Sequence, residues 1–163
     1  MMIRSKNGIK IMVLFAVALL VVLAVSSSNS SDNTSKNKNI EYIDNHYAVI
    51  YTAAWKSHSK DQRIEKLELP ADFLAGLTDN ELVYAVIHYP FTIDMLVHED
   101  LRVGYEYVLS YSGVLKEYER REGKQKMLNE YHSSELCTLE EKDNYIYQRI
   151  LDALLSLSTI EST

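Results

Sequence analysis

The chain has 163 residues, and its 23 acidic residues outnumber its 17 lysines and arginines to give a net charge of −6. Binding to nucleic acid or to an anionic membrane surface relies on clustered lysine and arginine, so this acidic balance excludes both classes of partner. A single cysteine excludes an internal disulfide bond, and the fold must be held together by its hydrophobic core.

The N-terminal segment has the parts of an export signal. Three basic residues in the first ten positions precede an uncharged run over 11–25, IMVLFAVALLVVLAV. The small residues Ala24 and Ser26 stand where signal peptidase cleaves, which predicts a signal peptide over residues 1–26. A helix over this run spans about 22 Å, less than the roughly 30 Å hydrocarbon core of a membrane. We therefore expect a secreted protein; the alternative is an uncleaved anchor that holds the domain at the extracellular face of the membrane.

Residues 27–39, SSNSSDNTSKNKN, contain only Ser, Asn, Lys, Asp and Thr. Such a segment has no apolar area to bury, so it is predicted to be a disordered polar linker. The remaining residues, 40–163, contain two prolines and few glycines and lack the frequent turns of an all-β protein. They are predicted to form a single all-α domain of five to six helices, for which HEAT-like helix pairs are one arrangement.

The first half of this domain contains clear helix boundaries. The segment EYIDNHYAVIYTAAWK is predicted to be helical, although its β-forming residues leave a short strand near 46–55 as an alternative. Thr78 and Glu81 match a capping box, and apolar residues follow at helical spacing. That helix should end near Tyr89, because Pro90 disfavours the α conformation of the residue before it. Pro90 can itself open the next short helix.

The second half is predicted to contain longer helices. An apolar stripe predicts one helix from about 99 to 122, in which Gly113 can mark a kink and Gly104 can allow a neighbouring helix to approach closely. A second capping box, Thr138 with Glu141, opens the C-terminal helix.

Candidate metal ligands are densest in the segment 82–100, LVYAVIHYPFTIDMLVHED. They are His88, Asp94, His98 and Glu99. An aspartate and a histidine one helical turn apart, as Asp94 and His98 are, can supply two ligands to a metal ion, and a third must come from elsewhere.

The helical period favours a simpler interpretation of the same residues. At about 100° per residue, the apolar residues Ile93, Leu96 and Val97 define the buried side of the short helix after Pro90. His98 then falls on the opposite side with Asp94, as a solvated pair, and His88 likewise falls opposite the apolar face of its own helix. No metal-site motif is present to favour the metal interpretation.

Catalytic templates are absent from the sequence. It contains no G-x-S-x-G elbow, no glycine-rich phosphate loop and no H-E-x-x-H pair. Cys137 and His132 are five residues apart, and nothing in the sequence orients the histidine as a base. We expect Cys137 to be a semi-buried, small apolar residue before a helix cap. No catalytic residue and no cofactor is therefore predicted.

The tyrosine content is high: twelve tyrosines, against three phenylalanines and one tryptophan. Most fit the boundary of a core, where the ring is buried and the hydroxyl stays hydrated. Tyrosine is also enriched at recognition surfaces. Tyr107, Tyr111 and Tyr118, which follow one another along the predicted long helix, are therefore candidates for a binding face.

A set of residues in the middle of the chain carries a resemblance. These residues are Leu69, Pro70, Thr78, Glu81, Leu82, Val83, Ala85, Val86, Tyr89 and Pro90. With them, the segment 69–120 resembles uncharacterised exported helical proteins of Gram-positive bacteria, in which a helix led by proline precedes a T/S-x-x-E-L-V-x-A-V-x-x-Y-P segment. The resemblance implies export and helices, and it carries no activity.

Together these features predict an exported, non-catalytic binding module from a bacterium, whose partner is a protein or a ligand of the cell envelope. One alternative is a small exported hydrolase, metal-dependent through Asp94 and His98 with His88 or Glu99. Another is a membrane-anchored regulator of an envelope partner, which requires that the run over 11–25 is not cleaved. In every case the membrane is contacted only through the N-terminal segment.

Overall fold

The computed structural model describes residues 37–160, and this part of the chain is all-α, as predicted. It contains nine α-helices and three 3₁₀ helices and no strand within these residues. None of the helices between 37 and 160 combines the length and the apolar character that a bilayer crossing requires. The predicted signal peptide over 1–26 and most of the predicted linker lie outside the described residues.

The helices are short, and their bounds can be given in chain order. The α-helices are α1 (Lys38–Tyr47), α2 (Lys60–Leu67), α3 (Ala71–Gly76), α4 (Asp79–His88), α5 (Leu101–Tyr111), α6 (Gly113–Arg120), α7 (Lys124–Ser133), α8 (Leu139–Asp143) and α9 (Tyr145–Ile160). The 3₁₀ helices are Ala48–Tyr51, Ala53–Ser57 and Thr92–Val97. The prediction of five to six helices was too low, because several predicted helices are interrupted by extended residues.

Helix α4 is the centre of the fold. Every residue from Glu81 to Ile87 is buried, and α1, α6, α7 and α9 pack around the helix. A helix that is apolar on all sides needs neighbours on all sides. One enclosed helix therefore organises the domain. Its ends are as predicted: Thr78 and Glu81 form the capping box, and the helix stops at His88.

Residues 37–39, which were predicted to belong to the linker, contact the described helical domain. The Asn37 side chain caps α1 by accepting a hydrogen bond from the backbone N–H of Asn39. Both side-chain amides donate to Oε1 of buried Glu81, at 2.6 Å from Asn37 and 3.0 Å from Asn39. Burial would raise the pKa of Glu81, but these bonds and those from Thr78 outweigh it and lower the pKa. The polar residues that make this segment look like a linker are needed to satisfy a buried carboxylate.

The alternative of a strand near 46–55 is wrong. Helix α1 ends at Tyr47, and two 3₁₀ helices follow with Thr52 extended between them. The Tyr47 ring is buried and packs edge-on against Tyr89 at 5.8 Å between ring centres, whereas Tyr51 is 86% exposed. A strand would need a partner strand for its backbone groups, and 3₁₀ turns satisfy those groups locally.

The predicted long helix over 99–122 is two helices that meet at Ser112. Ser112 is extended, and its buried side chain accepts a hydrogen bond from the N–H of Leu115, which caps α6. The N–H of Gly113 donates to both carboxylate oxygens of Glu68, at 3.1 Å each. Gly113 was expected to mark a kink. The break is complete because a carboxylate from a distant part of the chain accepts the N–H that the interrupted helix leaves unpaired.

The 3₁₀ helix Thr92–Val97 corrects the predicted buried face of this segment. Thr92 and Met95 are buried, whereas Ile93 is 38% and Val97 76% exposed. A 3₁₀ helix has three residues per turn, so residues three apart share a side. The α-helical period therefore assigned Ile93 and Val97 wrongly to the core, whereas Leu96 does pack partly against it. This change of face leaves Asp94 half-buried at the surface, where it takes part in the candidate site.

Candidate functional site

The candidate site is a group of three aromatic rings and a carboxylate around the ammonium group of Lys60. We call it the Lys60 cage; it consists of Phe91, Asp94, Tyr107 and Tyr111 with Lys60. The Lys60 Nζ atom lies 4.7 Å from the ring centre of Tyr107, 5.3 Å from that of Tyr111 and 5.6 Å from that of Phe91. Since cations are attracted to aromatic faces within about 6 Å, all three rings stabilise the charge.

Two oxygen atoms complete the cage. The Lys60 ammonium donates a hydrogen bond to Oη of Tyr107 at 2.6 Å and another to Oδ2 of Asp94 at 3.3 Å. The side chain of Lys60 is 45% exposed and that of Asp94 is 28% exposed, so the cage opens to solvent. It therefore combines ring faces and hydrogen-bond acceptors around one positive charge at the protein surface.

Four separate segments supply the cage. Lys60 is the first residue of α2, and Phe91 follows the proline that ends the central helix. Asp94 lies on the 3₁₀ helix, and Tyr107 and Tyr111 lie one turn apart on α5 with their rings edge to face at 5.5 Å. No single stretch of sequence contains the site, because it forms only when α2, the 3₁₀ helix and α5 meet.

Gly104 allows α5 to approach the 3₁₀ helix closely. A Cβ atom at this position would collide with the backbone carbonyl of Met95, so the contact is between backbones. Met95 is the residue after Asp94, and Gly104 lies one turn before Tyr107 on α5. The close approach expected at Gly104 is therefore present, and it brings the carboxylate and the phenol of the cage together.

The electrostatics of the cage favour a charged Lys60. The hydrogen bond with Tyr107 raises the pKa of Lys60, and the bond with Asp94 adds to this effect, while burial acts in the opposite direction. Burial and then the charge of Asp94 raise the pKa of Tyr111. The tyrosine therefore stays neutral and the lysine stays positive, which are the states that a cation–π contact requires.

Residues from two separate predictions meet at this cage. Asp94 and His98 were candidate metal ligands, and Tyr107 and Tyr111 were candidates for a binding face. The His98 ring lies against the ring of Tyr107, at 5.2 Å between centres. Asp94 pairs with Lys60 and not with His98. A metal ion bound to Asp94 would have to share the site with the positive charge of Lys60.

The four candidate metal ligands are not gathered into one site. His88 pairs with Glu141, whereas His98 and Glu99 both line a cleft of about 370 Å³ with Arg149 and Asp152. Among residues 37–160, no group of three or more His, Cys, Asp and Glu side chains could hold a metal ion. The geometry therefore gives no support to the metal-dependent hydrolase over these residues.

Tyr118 does not belong to an exposed binding face. It is 2% exposed, and it lies on α6 with buried Val114 and Leu115. The break at Ser112 changes the direction of the chain, so Tyr118 no longer continues the face that Tyr107 and Tyr111 present. Its candidacy as a recognition residue is corrected for this reason.

His88 forms a second, buried polar cluster. Its Nε2 atom lies 2.7 Å from Oε1 of Glu141, its Nδ1 atom lies 2.9 Å from the carbonyl oxygen of Tyr84, and its side chain is 15% exposed. The ring stacks on Tyr84 at 3.8 Å and contacts Tyr147 at 4.9 Å. His88 was expected on the solvated side of its helix. Helices α8 and α9 cover that side and provide the carboxylate.

The stability of the fold should fall in acid through Glu141. Burial would raise the pKa of Glu141, but hydrogen bonds from His88 and from the backbone of Thr138 outweigh burial and lower it below 4.5. A lowered pKa stabilises the fold above the unfolded value and loses that effect as the pH falls through the folded value. Urea unfolding between pH 6 and pH 3 should show this decline. In Glu141→Gln the slope should be shallower by up to about 1.4 kcal/mol per pH unit, and an unchanged slope would contradict the assignment.

Cys137 lies beside this cluster and is 5% exposed. Its Sγ atom is 4.0 Å from Nδ1 of His132, which is itself exposed. Burial raises the pKa of the Cys137 thiol, so the thiol stays protonated. This environment agrees with the expected role of a small apolar residue before the α8 cap.

Two residues of the cage, Lys60 and Phe91, were not singled out from the sequence. Lys60 lies 31 or more positions before the other members, in a helix whose sequence is polar. Phe91 follows Pro90, and a hydrophobic residue after a helix break is ordinarily assigned to the core. A search for aromatic residues near the densest polar stretch would have found Phe91, but only the tertiary structure places Lys60 above it.

Comparison of the chain with protein-family models, with curated protein sequences and with solved structures gave no match. The resemblance over residues 69–120 therefore stays a prediction. The contacts of the Lys60 cage are the basis for a functional proposal.

Proposed function

We propose that this chain is an exported, non-catalytic binding module that contacts a protein partner through the surface around the Lys60 cage. The single observation that carries the proposal is the cage itself. In it Tyr107, which is 41% exposed, packs against the rings of Tyr111 and His98 at the surface. A large aromatic ring that is both exposed and held in place is typical of the residues that dominate binding energy at interfaces.

The surroundings of Tyr107 support an interface. Val103 is 53% exposed and lies one turn before Tyr107 on α5, so the two side chains share a side of the helix. Val97 is 76% exposed and precedes His98, whose ring contacts Tyr107. Exposed apolar side chains that lie side by side and are bordered by polar groups are characteristic of protein interaction surfaces.

The cage also lowers the cost of binding. The Tyr107 hydroxyl accepts a hydrogen bond from Lys60, and its ring packs between Tyr111 and His98. A side chain that is already ordered loses little rotamer freedom when a partner covers it. These contacts favour Tyr107 as the anchor of the interface.

We expect Tyr107→Ala to reduce the capture of the partner about tenfold, because truncating an interface anchor costs more than about 1 kcal/mol of binding energy. The measurement is a quantitative crosslinking pull-down by the full chain from an envelope extract of its source organism. Specific capture is defined by competition with excess unlabelled chain.

The matched control is Tyr145→Ala. Tyr145 is also an exposed tyrosine, at 75%, but it lies at the start of α9 and outside the cage. It should capture the partner as the unchanged chain does. Equal losses in the two variants, or no loss in either, would remove the assignment of the interface to the cage surface.

A further inference from the structure

Lys60 contributes only the end of its side chain to the cage. It is the first residue of α2, a helix whose only buried residue is Leu67. Its side chain is 45% exposed, and it touches the cage through its terminal ammonium group. Rotation of the lysine side chain alone would therefore vacate the cage, without any change in the core.

The side chains that would remain form a site for an ammonium group. Three ring faces attract a positive charge, and the carboxylate of Asp94 supplies the opposite charge. The two acceptors, Oδ2 of Asp94 and Oη of Tyr107, distinguish between classes of cation. A primary ammonium has three N–H donors to offer them, whereas a quaternary ammonium has none.

We propose that the Lys60 cage binds a primary alkylammonium group, the lysine side chain of a partner protein, and that Lys60 occupies the site until that lysine replaces it. This proposal rests on the proposed function, because the same surface is assigned to a protein partner. In the exchange one ammonium group leaves for water as another enters, so the charge within the cage is unchanged.

Two observations favour a protein lysine over a free amine. Val103 is exposed and shares a side of α5 with Tyr107, and a small amine would leave this apolar side chain uncovered. The chain is acidic, with a net charge of −6, and complementary charge steers a basic partner towards it. A lysine on a folded partner can fill the cage while the surrounding residues cover the apolar border.

The resident lysine competes with any incoming one. It is attached to the same chain, so its effective concentration at the cage is high. Removing it breaks the ion pair with Asp94 and leaves the rings free for another cation. The site should therefore be measurable with small probes once Lys60 is shortened.

The test uses the full chain and its Lys60→Ala variant in a nonionic detergent, which introduces no competing ammonium. The probes are n-butylammonium and tetramethylammonium, and binding is followed by NMR shifts of the Tyr107 and Tyr111 ring signals. We expect n-butylammonium to saturate these shifts in Lys60→Ala and not in the unchanged chain. It should bind about tenfold more tightly than tetramethylammonium, since only the primary ammonium can donate charged hydrogen bonds.

Two further variants control the test. Lys66→Ala removes an exposed lysine from the last turn of the same helix and should behave as the unchanged chain. Asp94→Asn combined with Lys60→Ala should weaken n-butylammonium binding. Lys60→Gln provides a second way to vacate the cage if the alanine variant does not fold, as judged by circular dichroism.

The source of the ammonium is tested with a blocked Ala-Lys-Ala peptide and with putrescine as competing ligands. Tighter binding of the lysine peptide supports a protein lysine, and tighter binding of putrescine overturns that assignment. Absence of saturable n-butylammonium binding in both Lys60→Ala and Lys60→Gln overturns the ammonium site itself. If Tyr107→Ala still reduces partner capture while Tyr145→Ala does not, the interface stands and only the ammonium inference fails.

Discussion

Replacement of Glu141 by alanine is expected to lower the free energy of unfolding by about 3 kcal/mol. The Glu141 carboxylate is 10% exposed and accepts a hydrogen bond from His88 at 2.7 Å, and its other oxygen accepts one from the backbone N–H of Thr138 at 2.6 Å. The substitution removes both bonds and leaves an N–H of the imidazole buried without an acceptor. The loss should lie at the low end for a buried pair, because both side chains keep some exposure to solvent, 15% for His88 and 10% for Glu141. Urea unfolding followed by circular dichroism at pH 7 measures it.

The matched control for Glu141 is Asp143→Ala. Asp143 lies on the same short helix and is exposed, so its replacement should change stability by less than about 0.5 kcal/mol. A double-mutant cycle with His88→Ala isolates the pair itself. The double variant should be less destabilised than the sum of the single variants, by about 1 kcal/mol or more. Additive losses would show that the contact between His88 and Glu141 contributes nothing to stability.

Replacement of Gly104 by alanine is expected to destabilise the fold by about 1–3 kcal/mol, although alanine is a better helix former than glycine by about 1 kcal/mol. The new Cβ atom would meet the carbonyl carbon and oxygen of Met95, and a backbone cannot rotate away as a side chain can. Helix α5 would have to move away from the 3₁₀ helix. Thermal and urea unfolding measure the loss.

Gly76→Ala is the control for this effect. Gly76 is also a helical glycine, at the end of α3, and a Cβ atom there would meet nothing within 4 Å. Its replacement should be neutral or stabilising by up to about 1 kcal/mol, since it restricts only the unfolded chain. A Gly104→Ala variant as stable as Gly76→Ala would contradict the close approach, and with it the basis for the position of Asp94 beside Tyr107.

Helix boundaries were predictable from sequence where a local interaction sets them. The capping boxes at Thr78 and Thr138 are confirmed, and the central helix ends before Pro90 as expected. The second box opens the short helix α8, however, and the C-terminal helix α9 begins separately at Tyr145. A cap joins residues three apart, so its residues can be recognised in the sequence alone. The all-α class was predictable for the same reason, because helical periodicity is also a local property.

Boundaries that depend on distant residues were not predictable. The break at Ser112 is completed by Glu68, which lies 45 positions from Gly113. The 3₁₀ form of the segment after Pro90 exchanges the buried and exposed sides relative to an α-helix. In both places the local sequence is compatible with a continuous α-helix, and packing against other elements decides against it.

The candidate site was likewise predictable only in part. Asp94, Tyr107 and Tyr111 were singled out by their residue types, which carry the charge and the ring faces that recognition uses. The backbone contact at Gly104 brings these side chains together in the fold. The position of α2 then places Lys60 beside them. The residue types and the short-range helix signals depend only on neighbouring residues, so the sequence alone determined them. Which of those side chains face one another is set by long-range packing, and only the tertiary structure decided it.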